Sequence, residues 1–404
     1  MHRGSKKRIK VMVVAGTRPE GIKVAPIIER LKRQPDDFET IVLATAQHRE
    51  LLDQAFSLFH ISPDIDLNVM NSSQGLPALT GRVLENISLT LSEVKPDIVL
   101  VQGDSTTVFA SALAAFYQHI PVAHIEAGLR SYNKYSPFPE EINRHITTVI
   151  SDIHFAPTPG AKEALLNEGV ASDKIVITGN TIVDALMHVS SLPFFLKNTV
   201  LENIDLNARR LILVTSYQRE SWGLDLQNIC EAIKELARKY RDIVVVYPVH
   251  PNPIVKITAE KILGGLDRVH LVKPLDYMTF INVMKKAYLV LTDSGGLQEE
   301  ASTLKKPLFL MRNVTERPEA FEAGLAKVVG TDRRNIVQEV GNLLNDADLY
   351  RKMINSYNPY GDGRAADRIV TALFRWANGI EPLLTPFVEF EPQALELDLL
   401  CQNR

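Results

Sequence analysis

Short apolar runs bounded by turn-forming residues recur through the first half of the chain, at residues 10–15, 40–45, 97–101, 121–125, 152–156 and 174–178. Runs this short and this apolar read as buried strands. The segments between them, such as 27–33, 79–94 and 107–117, repeat their apolar positions at the helical period instead. Strict alternation of the two patterns predicts a parallel sheet with helices on both faces, a doubly wound α/β domain. After a weakly patterned stretch at 186–208 the alternation restarts, with strands at 211–215, 243–248, 269–272, 288–292 and 307–311 and helices at 226–240 and 335–345. A last helix is predicted near 365–376, and no period is legible beyond Glu381.

A length of 404 residues agrees with this restart, because single cores stop growing at about 250–300 residues. The predicted division is an N-terminal Rossmann-like domain at 1–185, a second one at 186–365, and a helix and tail at 366–404 that pack back on the first. Ligands of open α/β sheets bind at the carboxyl ends of the strands, so two such domains are expected to face a central cleft, with the active site between them.

Charge and cysteine content narrow the partners. Forty-five basic and 48 acidic side chains leave a net charge of −3, no field for a nucleic acid or an anionic membrane. Only Cys230 and Cys401 are present, too few for a disulfide framework or a thiolate metal site, as in a cytoplasmic protein. The basic opening MHRGSKKRIK runs into VMVVAGTRPE without the apolar stretch and cleavage site of a secretion signal. No charge-free apolar run reaches the roughly 18 residues of a membrane span.

Candidate chemistry gathers just after the predicted strands. GTRPEGIK, residues 16–23, opens the first helix. Gly16 permits a tight turn, Thr17 can cap, Pro19 suits the first turn, and Arg18 and Lys23 add positive charge where a helix N-terminus already favours anions. An ordinary turn with a solvated charge pair reads the same way. VQGDSTT brings Asp104 to a strand end, HIEAGLR brings Glu126 past the next strand, and YSPFPEE sets Glu140 and Glu141 at a helix start. Each acid alone could be a cap or a first-turn carboxylate. Three at one end of one sheet shift one another's proton affinity, as a general acid and base require.

In the second domain, LTDSGGLQEEA exposes the N–H groups of Ser294, Gly295 and Gly296 at a helix start, the physical requirement for gripping a phosphate. Glu299 and Glu300, one turn in, can accept the hydroxyl hydrogens of a ribose, so a nucleotide fits better than free phosphate. Arg18, Lys23, Arg219, Arg312 and Arg317 are candidate cations for a diphosphate. His48, His124 and His250 lie near predicted strand ends, yet no His or Cys spacing calls for a metal, and neither a complete GxGxxG nor GxxxxGK[ST] is present.

Taken together, GTRPEGIKVAPI, TAQHRELLDQ, VQGDSTT, HIEAGLRS, YSPFPEEINR, TGNTIVDAL, YPVHPNP, LTDSGGLQEEA, RNVTERPEA and NPYGDG, in order from Arg8 to Trp376, resemble the bacterial non-hydrolysing UDP-N-acetylglucosamine 2-epimerases. The resemblance implies a GT-B-type pair of domains, a homodimer, and interconversion of UDP-GlcNAc and UDP-ManNAc for surface polysaccharide. The implied route eliminates UDP across C1–C2 to a 2-acetamidoglucal and adds it back, without a cofactor. By motif position it makes Asp104, Glu126 and Glu140 the acid/base group. The implied substrate contacts are Arg18, Lys23, Arg144, Arg219, Glu220, His250, Phe280, Ser294, Gly295, Gly296, Glu300 and Arg317. Gln47, His48 and Arg49 resemble the segment that binds a second UDP-GlcNAc as an activator.

One block departs. Residues 216–220 read Ser-Tyr-Gln-Arg-Glu where the family typically has Gly-His-Arg-Arg-Glu, so Tyr217 occupies the catalytic position of a histidine associated with UDP departure. A phenol donates a hydrogen bond to phosphate but is not cationic near neutral pH. Losing a buried charge-assisted contact costs about 1.5–3 kcal/mol, roughly tenfold to a hundredfold in rate. Competing readings are a hydrolysing epimerase that releases ManNAc and UDP, and a weakened nucleotide-sugar binding protein. The three acids speak against the second, and a glycosyltransferase of this architecture would lack them.

Overall fold

The computed structural model describes residues 7–45, 49–69, 75–195, 201–202, 204, 209–217, 222–312, 315, 317–385 and 388–392. The chain divides into two compact units, one made of Met1–Ala185 with Gly361–Pro392, the other built on Leu186–Tyr360.

Unit 1 holds a seven-stranded sheet of β1 (Ile9–Ala15), β2 (Phe38–Ala44), β3 (Ile65–Asp66), β4 (Ile98–Gln102), β5 (Val122–Ile125), β6 (Ile153–Ala156) and β7 (Ile175–Ile177). Its order is β3-β2-β1-β4-β5-β6-β7, and every pairing is parallel. The crossovers are α1 (Arg18–Lys32), α2 (Arg49–Leu58), α3 (Leu76–Val94), α4 (Thr106–Tyr117), α5 (Glu140–Ile150) and α6 (Pro159–Asn167), and α7 (Thr181–Ser191) follows. Val11, Met12, Val13 and Ala15 of β1 are fully buried, as a strand covered on both faces must be.

Unit 2 holds a six-stranded parallel sheet of β8 (Arg210–Thr215), β9 (Ile243–Pro248), β10 (Val269–Val272), β11 (Ala287–Thr292), β12 (Leu308–Leu310) and β13 (Ala326–Val328), in the order β10-β9-β8-β11-β12-β13. Its helices are α8 (Leu224–Lys239), α9 (Pro253–Leu263), α10 (Tyr277–Lys286), α11 (Leu297–Thr303), α12 (Glu319–Glu322), α13 (Arg333–Asn345) and α14 (Ala347–Ile354). Both units are Rossmann-like. The strand order reverses between β1 and β4 in one and between β8 and β11 in the other, and such switch points open a ligand crevice at the carboxyl ends.

The last helix, α15 (Ala365–Ala377), belongs to unit 1. Its apolar face (Ile369, Val370, Leu373) joins the core formed by Ile9, Ile27 and Phe38, each such side chain contributing about 1.5–3 kcal/mol. Arg30 of α1 pairs with Asp367 at 2.7 Å, and the Asp184 carboxylate accepts the N–H groups of Ala365 and Ala366 at 3.2 and 2.9 Å. Burial is the main reason the Asp184 carboxyl is pushed up to about 6. No helix among the described residues is long and apolar enough to cross a membrane.

Candidate active site

At the switch point of unit 1, β1 delivers Gly16 and Thr17 to the start of α1. A Cβ on Gly16 would lie 2.4 Å from the hydroxyls of both Thr45 and Thr107, so close side-chain approach requires glycine there. Thr17 and Glu20 form a capping box, with Gly16 N–H donating to Glu20 Oε2 at 2.6 Å. Burial raises the Glu20 carboxyl above its ordinary value.

Asp104 and Glu126 each accept hydrogen bonds from neighbouring side chains. Asp104 follows β4 but does not cap the next helix: Ser105 is the N-cap of α4, its hydroxyl accepting from Val108 N–H. Asp104 Oδ2 instead accepts Arg144 Nε at 2.9 Å and Nη2 at 2.6 Å, and its carbonyl accepts Asn143 Nδ2 at 2.9 Å. Glu126, 7% exposed after β5, sits at φ +67°, a left-handed conformation that costs a non-glycine residue about 1 kcal/mol or more and concentrates at functional sites. Its Oε2 accepts Gln102 Nε2 at 2.6 Å and the Lys23 ammonium. Lys23 thus belongs to the carboxylate group, joined to an acid 103 positions away in the chain.

YSPFPEE resolves into two roles. Glu141 is buried, accepting the N–H groups of Ser131 at 3.1 Å and Tyr132 at 2.9 Å and Arg144 Nη1 at 2.8 Å. Glu140, the first residue of α5, is half-buried, and Pro139 before it supplies no side-chain cap. The structure therefore brings Lys23, Gln102, Asp104, Glu126, Glu140 and Arg144 to the carboxyl-end side of one sheet. Gln102 escapes sequence reading because it looks like the last residue of a buried strand. Arg18, half-buried, opens α1 beside this set.

Unit 2 repeats the plan with a different chemistry. Asp293, fully buried after β11, accepts the Ser216 hydroxyl at 3.1 Å and Tyr217 N–H at 2.9 Å, tying the ends of β8 and β11 together. Ser294 N–H is taken by the Thr292 hydroxyl at 2.9 Å, which leaves the cradle to Gly295 and Gly296. Gly296 caps α11 without a side-chain bond, and among the described residues a Cβ there would meet nothing within 4 Å, so no side chain crowds the helix start.

The acidic pair also divides. Glu299, 1% exposed, pairs with Arg317 Nε at 2.9 Å, while Glu300 is 7% exposed in the same turn. The Tyr217 ring lies edge-on to His250, centroids 5.9 Å apart, and Trp222 reaches the same imidazole at 5.8 Å. His250 Nδ1 accepts Asn252 N–H at 3.1 Å, which fixes the proton on Nε2 as a donor. Phe280 is half-buried on α10. Arg219, Glu220, Gln218, Gln47 and His48 lie outside the described residues. Arg49 starts α2, paired with Asp53 at 3.0 Å and with Asp66. Among the described residues no group of His, Cys, Asp and Glu side chains could hold a metal.

The profile of the UDP-N-acetylglucosamine 2-epimerase family matches residues 29–374. The chain belongs to this family. A UDP-N-acetylglucosamine 2-epimerase of Bacillus subtilis is 49% identical over 367 residues, 91% of this chain and 95% of that protein. The Escherichia coli K12 enzyme of the same name is 49% identical over 371 residues, 90% of this chain and 98% of that one. The crystal structure of the Neisseria meningitidis UDP-GlcNAc 2-epimerase bound to UDP-GlcNAc matches with a TM-score of 0.85 at 46% identity, covering 91% of this chain and all of that one (100%). The two parallel-sheet units are thus the GT-B-like pair of the 2-epimerases. Asp293 anchors the backbone of Tyr217, and the Tyr217 ring meets His250 edge-on.

Proposed function

We propose that this chain interconverts UDP-GlcNAc and UDP-ManNAc without hydrolysis. A carboxylate of the Asp104, Glu126 and Glu140 group takes the C2 proton, the C2–H electron pair becomes the C1=C2 bond of 2-acetamidoglucal, and the C1–O pair leaves with UDP. Protonation of C2 from the other face and return of UDP to C1 complete the epimerisation. The observation that carries this reading is Glu126, left-handed in its backbone, whose buried carboxylate is held by Lys23 and Gln102 at the same sheet end as the Asp104–Arg144 pair. General acid–base groups of this kind contribute about 10²–10⁴-fold. Gly295 and Gly296 support a diphosphate, Glu300 a ribose, Phe280 the base, and Tyr217, Arg219, Glu220, His250 and Arg317 the remaining contacts, with Arg18 as a phosphate cation.

Incubation with UDP-GlcNAc in deuterated water tests it. NMR is expected to show deuterium at C2 and a UDP-ManNAc signal without free UDP accumulating. Absence of both signals refutes the assignment, and stoichiometric UDP with ManNAc makes the enzyme hydrolytic.

The reading extends to a cytoplasmic homodimer supplying surface polysaccharide synthesis, with a second UDP-GlcNAc at Gln47, His48 and Arg49 as activator. An activator anion there competes with Asp53 and Asp66 for Arg49. The dimer is supported by an exposed apolar stripe on α5, Ile142, Ile146 and Val149, beside Phe116 and Tyr117 of α4 and Leu89 of α3. Ile146→Asp is expected to halve the sedimenting mass while leaving the fold intact. An unchanged mass places the interface elsewhere.

A further inference from the structure

A fully buried histidine connects the segments that carry Asp104 and Glu126. His124, on β5 two residues before Glu126, has its Nε2 2.7 Å from the carbonyl of Gly103, the residue that precedes Asp104. A carbonyl only accepts, so Nε2 carries the proton and donates it. Gly103 N–H in turn donates to the Ile125 carbonyl at 3.0 Å. Both polar groups of Gly103 are therefore tied to β5, at φ +83°, in a turn where, among the described residues, a Cβ would meet nothing within 4 Å. Hydrogen bonds rather than crowding hold this turn.

We propose that His124 is a positioning residue, clamping the turn that carries Asp104 onto the strand that carries Glu126, so that the two carboxylates keep one geometry toward the sugar. The catalytic consequence rests on the acid/base reading of those residues. A role in packing alone does not account for the imidazole: its Nδ1 is buried with no hydrogen-bond partner among the described residues, a cost that leucine would avoid. The charged and titratable groups around it are Asp104 after β4, Glu126 after β5, Arg130, and His154, its register partner on β6. Burial leads in pushing the His124 imidazole down to about 4, so the ring stays neutral and the Nε2–H donor persists at working pH.

Two variants test the clamp. His124→Leu fills the space without a donor, and His124→Gln sets an amide N–H near the place of Nε2. In the leucine variant, kcat for C2 exchange is expected to fall on the order of a hundredfold, with KM for UDP-GlcNAc changed less than about threefold. The glutamine variant is expected to recover to within about tenfold of wild type. Wild-type kcat in the leucine variant, or equal losses in both, would overturn the proposal.

Crystal structures of the variants need no turnover. The proposal expects the Asp104 carboxylate to leave Arg144 in the leucine variant and to stay in the glutamine variant, and an undisturbed contact in the leucine variant overturns it. Should the leucine chain not fold, the glutamine chain decides: a kept contact with near-normal kcat supports the clamp, a lost contact overturns it. A wild-type chain that fails to exchange C2 refutes the epimerase reading alone, because the Asp104–Arg144 comparison still stands.

Discussion

Asp104→Asn is expected to lower the rate of C2 deuterium exchange on the order of a thousandfold, with UDP affinity within about a factor of two of wild type. The Asp104 side chain receives both Nε and Nη2 of Arg144 at one oxygen, Oδ2. An asparagine oxygen keeps that acceptor, so the turn and Arg144 stay in place. The amide cannot take or return a proton near neutral pH, which removes chemistry and spares the architecture. The proposed diphosphate contacts of unit 2 are untouched by the change. NMR in deuterated water and calorimetric titration with UDP make the comparison. Exchange within tenfold of wild type would remove Asp104 from the proton-transfer group.

Arg144→Leu is expected to damage both stability and turnover. Arg144 is buried and serves two carboxylates at once, Asp104 and the 1% exposed Glu141. Removing one partner of a buried pair costs about 3–5 kcal/mol, and the low end applies here because Ser131 and Tyr132 still donate to Glu141. Burial by itself would raise the Glu141 carboxyl. The N–H groups of Ser131 and Tyr132 and the Arg144 charge outweigh it and hold the group below its ordinary 4.5.

The pH dependence follows from that direction. A carboxyl depressed in the folded state stabilises the fold above its unfolded value and loses that contribution as pH falls through the folded one. Wild type is therefore expected to lose stability below about pH 4.5. Arg144→Leu is already destabilised at pH 7 and should show a shallower acid-side decline. Urea denaturation at pH 7 and near pH 4 measures both, and equal stability of the two chains at pH 7 would contradict the pairing.

Much of this arrangement is legible along the chain, for identifiable reasons. The central strands are short apolar runs bounded by polar or turn-forming residues such as Gly16, Gly103 and Asp293, so the alternation exposes both sheets and the strand ends where chemistry collects. The edge strands Ile65–Asp66 and Ala326–Val328 are too short for any period to register. Local pattern also fails between neighbours: Asp104 and Ser105 both suit a helix cap, and only backbone geometry shows that Ser105 takes it. Glu140 and Glu141 are equivalent on paper and separate only when Ser131, Tyr132 and Arg144 close around the second.

Long-range pairings are the least legible. Lys23 reads as a phosphate cation beside Arg18 because nothing in GTRPEGIK points to Glu126, and Glu299 reads as a ribose acceptor until Arg317 claims it. His124 reads as a core or hydrogen-bonded histidine near a strand end, with no partner named. Its hydrogen bond to Gly103 appears only when β5 lies beside β4.

If acids of unit 1 act on the second carbon of a nucleotide sugar, a crystal structure with UDP-GlcNAc bound shows it. A carboxylate oxygen of Asp104, Glu126 or Glu140 is expected within about 3.5 Å of C2, the separation proton transfer needs, or joined to it by one water. All three carboxylates lying farther from C2 than a single bridging water can span would contradict it.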